Sequence, residues 1–158
     1  MVKKILLLGD DRLYEKSEAV KEEELAVLEP VVKDLHDTLL DFRAKYHAGR
    51  AVAAPQIGVF KRMLYMHIEK PVVFYNPVLL FPDDDKMEVL DDCMSFPGLK
   101  VKVERYRRCI IQYKNERWED CELSLEGDLA ELIQHEYDHL DGILATMRAI
   151  DNKSFSMV

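Results

Sequence analysis

The chain has 158 residues, 48% of them hydrophobic, three cysteines and a formal net charge of −8. That length and apolar fraction predict one core and a single domain over residues 1–158, while the acid excess, with no lysine and arginine stripe, argues against a nucleic-acid surface. No run approaches the roughly 20 apolar residues of a membrane span, the opening MVKKILLLGDD turns acidic too early for a signal peptide, and three cysteines that cannot all pair point to a reducing cytoplasm.

The first predicted element is a helix. Leu28, Val32, Leu35, Leu39 and Phe42 recur at spacings of three and four, an amphipathic stripe that packs inward. Pro30 cannot donate to a helix interior, so the helix is expected to begin near it and to run to about Tyr46, with Gly49 ending the pattern. The segment GRAVAAPQ at 49–56 then reads as a loop. From Arg62 onward RMLYMHIE, PVVFYNPVLL, LKVKVERY and RCIIQYK are rich in β-branched and aromatic residues and predict antiparallel strands, with Phe81 to Asp85 a turn. Cys109 and Cys121 read as small buried residues on such strands. Asp128 to Leu140 returns to helical periodicity without Gly or Pro, and Gly142 is its stop.

That last helix carries QHEYDHLDG at 134–142. A four-residue step advances about 400° and about 6 Å on an α-helix, so His135 and His139 project from one face and can grip one metal ion. Glu136, about 100° round from His135, reaches a metal-bound water without being a ligand. Only 19 residues follow His139, none of them Glu or His, so a third ligand is expected from upstream. Cys93, in DDCMSFPG after an acidic strand-like stretch, is the candidate, with Asp141 and Asp151 as weaker alternatives. Three protein ligands and one open position are the pattern of a catalytic rather than a structural site.

Three segments resemble the motifs of the peptide deformylases, in order: GRAVAAPQ at 49–56, DDCMS at 91–95 and QHEYDHLDG at 134–142. Against GxGLAAxQ, EGCLS and QHExDHLxG, the third matches at every specified position, the first departs at two and the second at three. Asn76 and Pro77 resemble the family's NP dipeptide, and Arg105 falls where the family has an arginine. The resemblance implies an α+β fold, with antiparallel or mixed β-sheets around a central C-terminal helix carrying HExxH and one long N-terminal helix. It implies hydrolysis of the N-formyl group on the first methionine of nascent peptides, at the ribosome, by a cytoplasmic enzyme for which a monomer is favoured. The implied cofactor is one divalent ion, Fe²⁺ by family precedent, with Zn²⁺, Ni²⁺ and Co²⁺ also fitting the donors.

The resemblance also implies residue roles. Cys93, His135 and His139 hold the metal, Glu136 is the base, and Gln56 and the backbone N–H of Met94 stabilise the oxyanion. Gly49, Arg50, Ala51, Val52, Asp128, Glu131 and Leu132 are the expected substrate-binding residues. Asp91, Arg105 and Asp138 support the ligands, Asp91 or Asp138 accepting from an imidazole and Arg105 pairing with Asp138. Ala51, in place of a glycine, matters if that backbone needs positive φ, and Asp92 adds a carboxylate beside Cys93. Glu131 and Asp128 lie four and seven residues before His135, on the face where the family has an apolar methionine pocket, with Arg50 nearby. If these charges pair they are structural; if not, a polar or basic first side chain is preferred. A zinc endoprotease and a non-catalytic formyl-peptide-binding homologue are the rival readings.

Overall fold

A computed structural model describes residues 1–158. In chain order the elements are α1 (Leu25–Tyr46), β1 (Ala51–Ala53), β2 (Met63–His67), β3 (Pro71–Leu80), β4 (Lys86–Asp91), β5 (Leu99–Tyr106), β6 (Arg108–Lys114), β7 (Asp120–Glu126), α2 (Asp128–Leu140) and β8 (Phe155–Met157). One sheet has the order β1-β2-β3-β6-β7 and a second the order β4-β5-β8. Every pairing between these strands is antiparallel.

The period of two along β2 and β3 explains how two helices share one sheet. Met63, Tyr65, Val73 and Tyr75 pack with Leu35, Leu39 and Phe42 of α1. Leu64 and Phe74 point the other way, against Ala130, Ile133 and Leu140 of α2. Both faces of these strands are therefore covered. A third cluster, including Cys93, Phe96, Val101 and Val103, joins the small sheet to the turn that follows β4. α2 touches β1, β2, β3 and β7 of the large sheet and β5 of the small one, so it stands where the layers meet.

Several boundaries differ from the sequence reading. α1 starts at Leu25 and holds Pro30 inside it, after a 3-10 turn over Glu22–Glu24. Interior proline costs about 3 kcal/mol, and burying Leu28 together with part of Leu25 recovers a similar amount. Residues 51–53 are not loop: Ala51 pairs with Met66 and Ala53 with Leu64, and Ala54–Ile57 then close a 3-10 turn. Their small side chains fit the space between two helices. Cys109 is buried as expected, but Cys121 is only half-buried, because β7 is the edge of the sheet and has a neighbouring strand on one side. No helix is long and apolar enough to cross a membrane.

The ends of the helices are closed by specific contacts. His47 takes the left-handed conformation after α1 and donates its N–H to Arg43 O at 2.9 Å. Gly49 follows at φ 117°, where a Cβ would lie 3.2 Å from the Phe42 ring. At the end of α2, Leu140 O accepts from Ser17 N at 2.8 Å and from Arg62 Nη1 at 2.9 Å, which satisfies a carbonyl the helix leaves open. Gln134 clips α2 to the small sheet: its side chain accepts from Tyr106 N at 2.9 Å and donates to Tyr106 O at 2.8 Å.

Candidate active site

β4 ends at Asp91 and the turn after it carries Cys93, while α2 presents His135 and His139 from below. One ligand atom from each of Cys93, His135 and His139 lies within 4.8 Å of the others, and all three residues are buried. Cys93 Sγ is 3.4 Å from His139 Nε2. A tetrahedral ion with metal–nitrogen bonds of about 2.0–2.1 Å and metal–sulfur bonds of about 2.3 Å separates its ligands by about 3.3–3.6 Å. One thiolate and two imidazoles at this spacing fit such an ion.

The supporting groups set how the ligands face. Asp91 Oδ2 is 3.0 Å from His135 Nδ1, which leaves Nε2 of that ring free. Arg105 donates to Asp91 Oδ2 at 2.6 Å and to Asp138 Oδ2 at 2.7 Å. Asp138 also accepts two bonds from Arg148, at 2.6 and 3.0 Å, so it serves arginines and not an imidazole. His139 Nδ1 has no hydrogen-bond partner. Burial opposes charge on His135, yet the Cys93 sulfur and Asp91 outweigh it and hold its pKa above the usual value. Burial, then the neighbouring His135, pushes His139 the other way.

Gln56 is fully buried, and its Oε1 accepts from Ala53 N at 2.9 Å. Its Nε2 therefore points to Ser95 Oγ, at 3.1 Å, and to Cys93 Sγ, at 3.5 Å. Ser95 N donates to the same sulfur at 3.4 Å, while Met94 N makes no backbone bond. The N-terminal stretch ties these two segments together, Leu6 N donating to Gln56 O and Leu8 N to Ser95 O, each at 2.8 Å. Sequence reasoning missed Ser95, Arg148 and the Leu6–Leu8 stitch. Ser95 alone had a signal, being inside the DDCMS segment.

Glu136 is 3% exposed, with Oε2 unpartnered, and burial pushes its pKa up to about 7. It borders a cavity of about 740 Å³ that also reaches Cys93 and His135. Of the expected substrate residues, Gly49, Arg50, Ala51, Glu131 and Leu132 line this cavity. Val52 does not; its side chain lies in the core under α1, because alternation along β1 turns it away. Asp128 does not either, being exposed in the first turn of α2, where an acid favours the helix dipole. Arg50, Asp128 and Glu131 form no ion pair with one another. Burial, followed by Asp91 and Asp128, raises the Glu131 pKa to about 8. Neither Ala51 nor Asp92 has positive φ, so the backbone accepts both departures without strain.

Metal-dependent hydrolases are built this way: an open coordination side admits water, and a proton acceptor waits beside it. A family model described as polypeptide deformylase matches residues 2–155, and the chain belongs to that family. It is 39% identical to the peptide deformylase of Pseudothermotoga lettingae over 144 residues, 91% of this chain and 81% of the relative. It is 37% identical to peptide deformylase 1 of Prochlorococcus marinus, covering 98% and 84% of the two chains. The crystal structure of the Thermotoga maritima peptide deformylase superposes with a TM-score of 0.86 at 31% identity, covering 96% and 99%. That of the Synechococcus elongatus peptide deformylase in complex with actinonin gives 0.85 at 29% identity, covering 94% and 79%.

Proposed function

We propose that this enzyme removes the N-formyl group from the first methionine of nascent peptides, releasing formate, with Glu136, Gln56 and the Met94 N–H acting beside an ion held by Cys93, His135 and His139. The observation that carries this reading is the unpartnered Oε2 of buried Glu136, beside the clustered ligand atoms of Cys93, His135 and His139, with Cys93, His135 and Glu136 lining one cavity. A bound divalent cation supplies Lewis acidity there, polarising a carbonyl and making water more acidic. Ferrous iron is the proposed physiological ion, and zinc, nickel or cobalt fit the same donors.

Glu136 accepts the proton of the attacking water, and a pKa near neutrality suits a group that must later give that proton to the departing amine. Gln56 Nε2 and Met94 N–H donate to the oxygen on which charge develops. The Gln56 amide is oriented for this by Ala53 N–H, which takes its oxygen end and leaves its amino end toward Cys93. Asp91 and Arg105 hold the His135 ring in the orientation that frees Nε2. The enzyme works as a monomer of one domain over residues 1–158, in the cytoplasm, on chains leaving the ribosome. Its net charge of −8 argues against direct contact with RNA.

Formate release from a formyl-Met tripeptide, measured on anaerobically purified and metal-analysed protein, tests this reading. Glu136→Gln is expected to keep the metal and lose about 10²–10⁴-fold in kcat. Cleavage of blocked internal peptide bonds would point to an endoprotease instead, and full metal loading without formate release to a binding module.

A further inference from the structure

We propose that Ser95 is a positioning residue for the deformylation: its hydroxyl holds one Nε2 hydrogen of Gln56, so that the other is left for the oxygen on which charge develops. The inference rests on the deformylase reading and adds to it the group that aims the Gln56 amide. An amide nitrogen carries two hydrogens to donate, and an amide oxygen only accepts. Gln56 Oε1 accepts from Ala53 N at 2.9 Å, which decides which end of the amide is which. The amino end then faces two acceptors, Ser95 Oγ at 3.1 Å and Cys93 Sγ at 3.5 Å.

These two bonds are unequal. The contact to oxygen lies in the ordinary N–H···O range, while the one to sulfur is long and is made to a weaker acceptor. The sulfur is also shared, with Ser95 N and His139 Nε2 each 3.4 Å from it. Moving the sulfur-facing hydrogen onto a substrate oxygen therefore gives up little. That hydrogen is the one directed toward the cavity, because Cys93 lines the cavity and Ser95 does not. The Ser95 bond persists through the reaction and keeps the amide plane from turning. Ser95 is 1% exposed, so its hydroxyl has no water to replace it, and its backbone is fixed by Leu8 N, which donates to Ser95 O at 2.8 Å. Leu6 N does the same for Gln56 O at 2.8 Å, so one N-terminal stretch holds both partners in register. Without the hydroxyl, one Nε2 hydrogen is buried with no acceptor, and the amide turns toward the sulfur to relieve it.

The test measures kcat and KM for a formyl-Met tripeptide on metal-loaded wild type, Ser95→Ala, Ser95→Thr, Gln56→Leu and the double variant of Ser95→Ala with Gln56→Leu. Ser95→Ala is expected to lower kcat about 10–100-fold with KM and metal content unchanged, short of the about 10²–10³-fold that loss of an oxyanion donor costs in Gln56→Leu. Ser95→Thr, which keeps the hydroxyl, is expected to retain most of kcat. In the Gln56→Leu background, Ser95→Ala is expected to change kcat by about twofold or less, because residues that act through one shared bond are not additive. A Ser95→Ala variant with the kcat of wild type, or one that loses the same factor in both backgrounds, would overturn the proposal. Should the Thr variant fold poorly, NMR of the metal-free protein decides. The Gln56 carboxamide hydrogens, assigned by their absence in Gln56→Leu, are expected to give one resonance that moves upfield in Ser95→Ala, and a pair that stays in place would also overturn it. No formate from any protein, the wild type included, would instead remove the deformylase reading, and this inference with it.

Discussion

Asp91 meets both His135 and Arg105 through one oxygen, Oδ2, while Oδ1 has no partner. That single atom couples the ligand set to a buried arginine, so the two fail together. Asp91→Asn offers a weaker acceptor, and metal affinity is expected to fall about 10–100-fold, read by competition with a chelator. Arg105→Ala leaves Asp91 and Asp138 as buried carboxylates without their shared cation, and Asp138 with Arg148 alone. Removing one partner of such a buried network costs about 3–5 kcal/mol, measurable as a lower urea midpoint at unchanged m. At this scale the sequence was informative where a residue type has little other use. A Cys before a Pro-Gly turn and two His four apart announce a chelate. Arg148 has no such signature, because its role depends on neighbours distant in the chain, and Ser95 is marked only by its place inside DDCMS.

β3, β5, β6 and α2 keep the bounds that their runs predict, since each is long enough for its own periodicity to decide its state. β1 and β8 are three residues each and exist through their partners, β2 and β5, which no local pattern encodes. Pro30 misleads for a similar reason: tertiary burial of Leu28 overrides a local rule. The end of α2 gives the sharpest element-level test. Gly142 has φ 72°, and a Cβ there would stand 2.3 Å from Tyr14 O, a backbone atom that the Ser17 to Leu140 bond holds close. Left-handed strain of about 1–2 kcal/mol and a backbone clash of about 1–3 kcal/mol add. Gly142→Ala is expected to lower stability by about 3 kcal/mol, which is roughly 6–12 °C in Tm for a chain of this size.

Across the whole molecule, the metal centre lies where α2 meets the small sheet, and its buried acids make stability depend on pH and on the ion. In the metal-free protein Glu136 and Glu131 titrate near 7 and 8, and His135 above its usual value, so the fold holds protons that the unfolded chain has already released. For the two carboxyls that contribution is complete below about pH 4.5 and is lost as pH climbs through their raised values. His139, lowered, acts in the opposite sense, but its contribution is complete above about pH 6.5. From pH 6.5 to 8.5 only the loss remains, and the Tm of chelated protein is expected to fall. Metal loading follows the reverse course, because ligands must be deprotonated to bind, and an ion at a hundred times its Kd adds about 2.7 kcal/mol. The Tm gap between loaded and chelated protein should therefore widen from pH 6.5 to 8.5, and Glu131→Gln should flatten the chelated branch. Paired thermal melts at the two pH values check this, and a gap that stays constant or narrows would mean that these acids are not linked to the ion.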